Sequence, residues 1–325
     1  AFMEVRRATE NFALRQSNVR VITQELRAAR DRFEVGEVTR TDVALAEARL
    51  AAARSSLSGA QGTLDVAREE FRVAVGRAPG GLVSPRGLPR LPGTVDAARK
   101  IAVRNHPDIL RAQHQVAAAD IGVEVARAAL KPSLDLTGRY QVNESLDDAG
   151  YSRQGTIGLE LSGPIYQGGR LNSLIRDAMA SRDQARASLH QTRLGIELQV
   201  GQAFSQLRVA QASAEAFQSQ VRAATVAFRG VREEATLGAR TTLDVLDAEQ
   251  ELQDARVSLV SAQVDETIAA YTLLSAMGRL TAADLDLPVP AFDPEAYYRL
   301  VESAPTALSP EGEELDRVLR ALGKQ

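Results

Sequence analysis

The sequence predicts a mostly α-helical chain of long antiparallel coiled-coil helices with one inserted pair of β-strands. Three observations carry that expectation. Apolar residues spaced alternately by four and three run for more than five heptads through Ile196, Val200, Ala203, Leu207, Ala210, Ala214, Phe217, Val221, Ala224, Phe228, Val231 and Ala235, the seam of a left-handed coiled coil. Aromatics make up only 4% of the 325 residues, Trp is absent, and the 44% apolar fraction leans on Ala, a composition of long helices rather than of a mixed globular core. Between about 133 and 163 the apolar period falls to two, which is the period of a strand.

An internal repeat organises the helices. Adding 202 to each number from 1 to 76 lands on 203 to 278 without a gap, and 27 of the 76 positions keep their residue, among them Gly36, Thr39, Asp42, Val43, Leu50 and Gly76. The second copy is preceded by a segment, 93 to 202, whose counterpart would lie about 110 residues ahead of Ala1. The expectation is a parent of two tandem repeats, seen here without the first half of repeat one, and without any export signal that half carried. Residues 1–76 are then the second half of repeat 1 and 77–93 a Pro/Gly-rich connector. Residues 94–132 are the opening helices of repeat 2, 133–163 its strand pair and 164–280 its long helical hairpin. Residues 281–325 leave the heptad and read as partly extended, with a short charged helix near Glu311 to Leu322.

The first-repeat seam runs from Val43 through Ala46, Leu50, Ala53, Leu57, Ala60, Leu64, Ala67 and Phe71 to Ala74, and the last one from Val245 through Ala248 and Leu252 to Ala276, with only Glu266 breaking it. From about 170 to 235 there is no Pro, so a single helix there would be on the order of 100 Å long. Heptads alone fit a dimeric structural coiled coil. The alternation of Ala with Leu or Val also fits helices packed side by side into a wall.

The strands widen the choice. Leu134, Leu136, Gly138, Tyr140 and Val142 alternate with polar residues, a polar loop follows over 143–150, and Ile157, Leu159 and Leu161 alternate again. Each run has one apolar face over about ten residues, the length of a tilted membrane-spanning strand. A small soluble hairpin is the other option, but two strands are marginal alone, and long helices flank this pair on both sides. In lipid, unpaired edges survive only in a closed barrel, which would need strands from the missing half and from other subunits.

Several function classes are excluded. A net charge of −3 and an isoelectric point near 5.8 give no electrostatic footprint for nucleic acid. With no Cys there is neither a disulfide framework nor thiolate chemistry. His106, His114 and His190 are scattered, without zinc-site spacing. There is no nucleophile elbow or HExxH, and Gly168-Gly169 lacks a phosphate-loop pattern. The expectation is a chain that is no enzyme and takes no metal or cofactor.

The motifs resemble those of the TolC-like outer-membrane efflux and type I secretion family. They are Asn105-His106-Pro107 opening a helix, Leu130-Lys131-Pro132-Ser133-Leu134 entering the first strand, and Gly163-Pro164-Ile165-Tyr166-Gln167-Gly168-Gly169-Arg170 leaving the second. Two turns, Val35-Gly36-Glu37-Val38-Thr39-Arg40-Thr41-Asp42-Val43 and Leu237 to Ala248, and the ending Leu285-Asp286-Leu287-Pro288 complete the set. The resemblance implies a homotrimer with a twelve-stranded barrel in outer-membrane lipid and a helical tunnel in the periplasm. It also implies a passive exit duct that docks to a periplasmic adaptor and to an inner-membrane transporter, ABC-type or proton-driven. The tail after 280 would help to belt the middle of the tunnel. A reading from another class is a soluble periplasmic coiled-coil scaffold or adaptor.

Individual residues follow. Gly36 and Gly238 suit the left-handed position after a helix, Thr39 and Thr241 suit N-caps, and Asp42 and Asp244 lie three positions on. Capping accounts for both acids, but not for Asp247, whose repeat mate is Leu45. The resemblance implies that Asp244 and Asp247 form acidic rings gating the pore, which would favour cations. It implies that Arg240 latches the tip to Thr41 and Asp42 of a neighbouring subunit, with Ala235 standing where a second, tyrosine link is common. It places adaptor docking at Val35, Gly36, Glu37, Leu237, Gly238 and Ala239, with Glu37 where an apolar residue is frequent. Gly168 and Gly169 would make the strand-to-helix turn. Leu134, Leu136, Tyr140, Ile157, Leu159 and Leu161 would face lipid.

Overall fold

The computed structural model describes residues 1–83, 87–144, 151–289, 293–302 and 310–321. The remaining parts of the expected connector, strand loop and C-terminal segment, including Leu322, lie outside the described residues. The chain divides into two units, Ala1–Arg279 and Leu280–Gln325.

In the first unit α1 (Phe2–Glu34) and α2 (Arg40–Val75) form an antiparallel hairpin. Its interface is the expected seam from Val43 to Phe71, while Ala74, expected at its end, is exposed. Ile22, Leu26 and Ala29 meet Ala46, Leu50 and Ala53 near the turn, and Val5 and Ala8 meet Leu64, Ala67 and Phe71 at the far end. Alanines opposite leucines let the two axes approach closely while Leu and Phe fill the gaps.

The second hairpin is built on one very long helix, α5 (Arg170–Thr236), of 67 residues, which at 1.5 Å per residue is about 100 Å long. Every seam position from Ile196 to Ala235 is buried or half-buried. The C-terminal half of α5 packs against α6 (Thr242–Ala276), where Val221, Ala224 and Phe228 meet Leu252 and Ala255. Alongside α5 also lie α3 (Val95–Asn105) and α4 (Pro107–Ala128). They are broken from one another at His106, whose extended backbone and Nδ1, accepting the Asp108 N–H at 3.2 Å, cap α4 ahead of Pro107. Helix α6 ends at Gly278, whose backbone lies on this break.

Helix α6 buries a second face that the heptad does not reveal. Leu246 joins the Ile22, Leu26 and Ala29 cluster of the first hairpin, and Glu249 and Gln253 are buried along the same side. The two hairpins therefore meet through α1 and α6.

Strands β1 (Ser133–Glu144) and β2 (Tyr151–Ser162) pair antiparallel, with Leu134 opposite Leu161 and Leu136 opposite Leu159. The ladder is longer than the alternation. Asn143 and Glu144, expected in the loop, pair with Ser152 and Tyr151. Backbone pairing carries the ladder on past Val142, where the apolar alternation of this strand has ended and a period test finds nothing.

In the second unit α7 (Pro294–Glu302) and α8 (Pro310–Ala321) pack on each other. Helix α7 replaces expected extended chain: Asp293 Oδ1 accepts the Glu295 N–H at 2.9 Å and Pro294 occupies the first helical turn, a strong local start signal.

Candidate functional site

The two hairpin turns are built alike and lie side by side. In each, the helix ends on a glycine in the left-handed region, Gly36 at φ 84° and Gly238 at φ 77°. The next N–H closes back on the helix, from Glu37 to Arg32 O at 2.9 Å and from Ala239 to Glu234 O at 2.9 Å, the bond that satisfies otherwise free end carbonyls. A capping box then opens each following helix. Asp42 Oδ2 accepts from the Thr39 N–H at 2.8 Å, and Asp244 Oδ2 from the Thr241 N–H at 2.9 Å, while each Thr hydroxyl accepts from the Asp N–H. The Thr39 side-chain and backbone bonds hold the Asp42 carboxyl below the usual carboxylate range. The Thr241 backbone and side-chain bonds do the same for Asp244, with a smaller contribution from the Arg240 charge. Both acids are partly exposed, so capping does not withdraw them from solvent.

A groove runs between the turns, lined by Glu37, Val38 and Asp42 on one side and by Leu237, Ala239, Arg240 and Asp244 on the other. At its rim Val35 is 71% and Leu237 85% exposed, and Gly36, Glu37, Gly238 and Ala239 are exposed with them. Within the chain Arg240 Nε bonds Glu234 Oε2 at 2.9 Å, which raises the guanidinium pKa further. Asp247, one turn beyond Asp244, is 56% exposed at its side chain and pairs with Arg49 of α2 at 2.5 Å. Thr41 is exposed at the head of α2.

Glu234, Arg49 and Glu249 are three charged neighbours that sequence reasoning missed. Arg49 had a signal, because its repeat mate is Glu251 just as the mate of Asp247 is Leu45. Both members of the pair thus depart from the repeat together. Glu249 is 3% exposed on the α1 side of α6. Burial raises its carboxyl above the ordinary value of 4.5, against the lowering pull of Arg256 and the Asn18 side chain.

At the strand end, Leu134, Leu136, Tyr140, Ile157, Leu159 and Leu161 form one face of the hairpin and are 66–85% exposed. The opposite face carries Asp135, Thr137, Arg139 and Glu160. Gly168 at φ 56° and Gly169 at φ 83° turn the chain into α5, and Arg170 Nε bonds Gln167 Oε1 at 3.0 Å across that turn. Among the described residues no helix is long and apolar enough to cross a membrane.

Residues 98–279 match the family described as outer membrane efflux protein. The outer membrane efflux protein BepC of Brucella suis biovar 1 is 36% identical over 304 residues, covering 93% of this chain and 67% of BepC. The proteases secretion protein PrtF of Dickeya chrysanthemi is 28% identical, covering 86% of this chain and 62% of PrtF. Among solved structures, the CusC channel superposes with a TM-score of 0.75 at 21% identity, covering 85% of this chain and 66% of CusC. The chain spans about three fifths to two thirds of these relatives. Proteins of this kind are outer-membrane channels rather than enzymes. With the match extending over more than half its length, this chain belongs to the outer membrane efflux protein family.

Proposed function

We propose that the chain is part of an outer-membrane channel subunit, a passive duct for tripartite efflux or type I secretion. Three copies of the full-length subunit close a twelve-stranded barrel in lipid above a periplasmic helical tunnel. The observation that carries this reading is the β1/β2 hairpin, with one face of exposed Leu, Ile and Tyr and with its outer edges open among the described residues. In a bilayer those edges need partner strands and that face needs acyl chains. A soluble scaffold would instead have to cover the face with protein.

In this reading Asp244 and Asp247 line the narrow periplasmic end, and Arg240 latches it against Thr41 and Asp42 of a neighbouring subunit. The rim at Val35, Gly36, Glu37, Leu237, Gly238 and Ala239 receives a periplasmic adaptor, which connects to an inner-membrane transporter. The resemblance to an efflux protein and to a protease secretion protein supports either use, since a passive duct takes the cargo its transporter delivers.

The test is to change Leu136 and Leu159 to Arg in the full-length protein and follow its membrane fraction. An arginine on the lipid face near the midplane costs about 2–4 kcal/mol, so outer-membrane assembly should be lost. Unaltered assembly would overturn the reading.

A further inference from the structure

Within each hairpin the helix interface is apolar, made by Leu, Ile, Val, Phe and Ala. Between the hairpins it is different. Along α1 and α6 the buried residues include Asn18 at 4%, Glu249 at 3% and Gln253 at 1% exposure, beside Leu246, which joins the apolar cluster of the first hairpin. Gln253 Nε2 is enclosed there without a hydrogen-bond partner, and Asn18 Nδ2 is directed at the Glu249 carboxyl without a well-formed bond to it. Donors poorly paired in the seated arrangement regain water when the surfaces part, an offset to the cost of separation that the apolar hairpin cores lack.

We propose that the α1/α6 seam is operated by a proton: with Glu249 neutral the α5/α6 hairpin stays seated on α1, and with Glu249 charged it parts from α1. The groups facing that carboxyl are few. Arg256 is on its own helix, Asn18 and Glu25 come from α1, and Arg232 comes from α5. Arg232 is also engaged by Glu25 at 3.3 Å, so its lowering pull on Glu249 is the smallest of those acting there, and Arg49 of α2 is paired with Asp247. The direction follows from linkage. Seating withdraws the carboxyl from water and raises its pKa above 4.5, so the seated form binds the proton more tightly than the parted form. Seating is therefore fully supported below the ordinary carboxylate value and is lost as pH rises through the raised one. Because α6 begins at the tip, parting moves Asp244 and Asp247 with it. The device lies within one chain and does not depend on the channel reading.

These 325 residues contain no Cys; any elsewhere in the full-length protein is first replaced by Ser. Spin labels are then attached in the full-length protein at Arg20→Cys, exposed on α1, and Glu251→Cys, exposed on α6, and the distance between them is measured by double electron–electron resonance. The distance should be short near pH 4 and lengthen as the pH is raised to about 8, with helical circular dichroism unchanged. In Glu249→Gln it should stay short throughout. In Arg256→Gln, which removes a charge that lowers the Glu249 pKa, the midpoint should move to higher pH. A distance that ignores pH, the same profile in Glu249→Gln, or a fixed or lowered midpoint in Arg256→Gln would each overturn the proposal.

Discussion

Gly278 rests on His106 backbone to backbone: a Cβ on Gly278 would stand 2.8 Å from His106 Cα and 2.9 Å from Pro107 Cδ. The contact fixes the end of α6 against the break between α3 and α4, and Gly278 also sits at φ 70°. Its repeat mate Gly76 has nearly the same backbone, φ 80°, with nothing within 4 Å of a built Cβ. Gly278→Ala should therefore destabilise by roughly 3 kcal/mol, adding overpacking to backbone strain, and Gly76→Ala by only about 1 kcal/mol. Thermal or urea unfolding of the two variants should separate them, and equal losses would remove the packing argument.

The paired capping boxes make the tips acid-sensitive. Thr39→Ala should cost about 1 kcal/mol as a lost N-cap. Both Asp42 and Asp244 have carboxyls lowered from 3.8 in the folded chain. Their support is present above that value and is lost as pH falls through the lowered ones. Amide exchange in the first turns of α2 and α6, corrected for intrinsic rate, should accelerate on acidification before exchange at Leu64 or Leu252 does. Asp42→Asn should show that faster exchange at the head of α2 already at neutral pH.

Arg240 has an in-chain partner, Glu234, and this gives the proposed latch a control. Glu234→Gln removes the in-chain pair and leaves the guanidinium free to reach another subunit. Single-channel conductance of the full-length protein should rise in Arg240→Ala and remain near wild type in Glu234→Gln. A rise of equal size in both would mean that the turn geometry, and not a link between subunits, keeps the tip closed.

The Arg49–Asp247 pair is exposed at both ends, and exposed pairs contribute between about 0 and 1 kcal/mol. Asp247→Asn should leave unfolding almost unchanged while weakening the preference for cations, read as a shift of reversal potential in a salt gradient. Lost stability with unchanged selectivity would make Asp247 a structural residue.

The long seams were legible because a heptad is a local pattern: Ile196 through Ala235 can be read without knowing what covers them. The same logic explains what was not legible. Helix α6 has two neighbours, and the stripe through Val245, Leu252 and Ala255 names only α5. Leu246, Glu249 and Gln253 face α1 on a second stripe, and a single-period search treats such residues as the polar side. Arg49 and Asp247 are 198 residues apart, a pairing created by tertiary packing and visible beforehand only as a joint departure from the repeat. The strand face was legible from alternation, whereas the ends of the ladder were not, because the alternation stops at Val142 and resumes only at Ile157 while backbone pairing runs on to Glu144 and Tyr151.

Helix α5 runs from the strand turn to the tip with no Pro along it. Mechanically it is a strut. A rotation imposed at the tip meets no proline kink along about 100 Å of helix that stays continuous through Gly195, Gly201 and Gly230, and is carried toward the joints at its ends. Those joints are Gly168 and Gly169 on one side and Gly238 on the other, all in left-handed backbone. Torque applied at the turn end of α5 would thus reach the strand end rather than dissipate on the way.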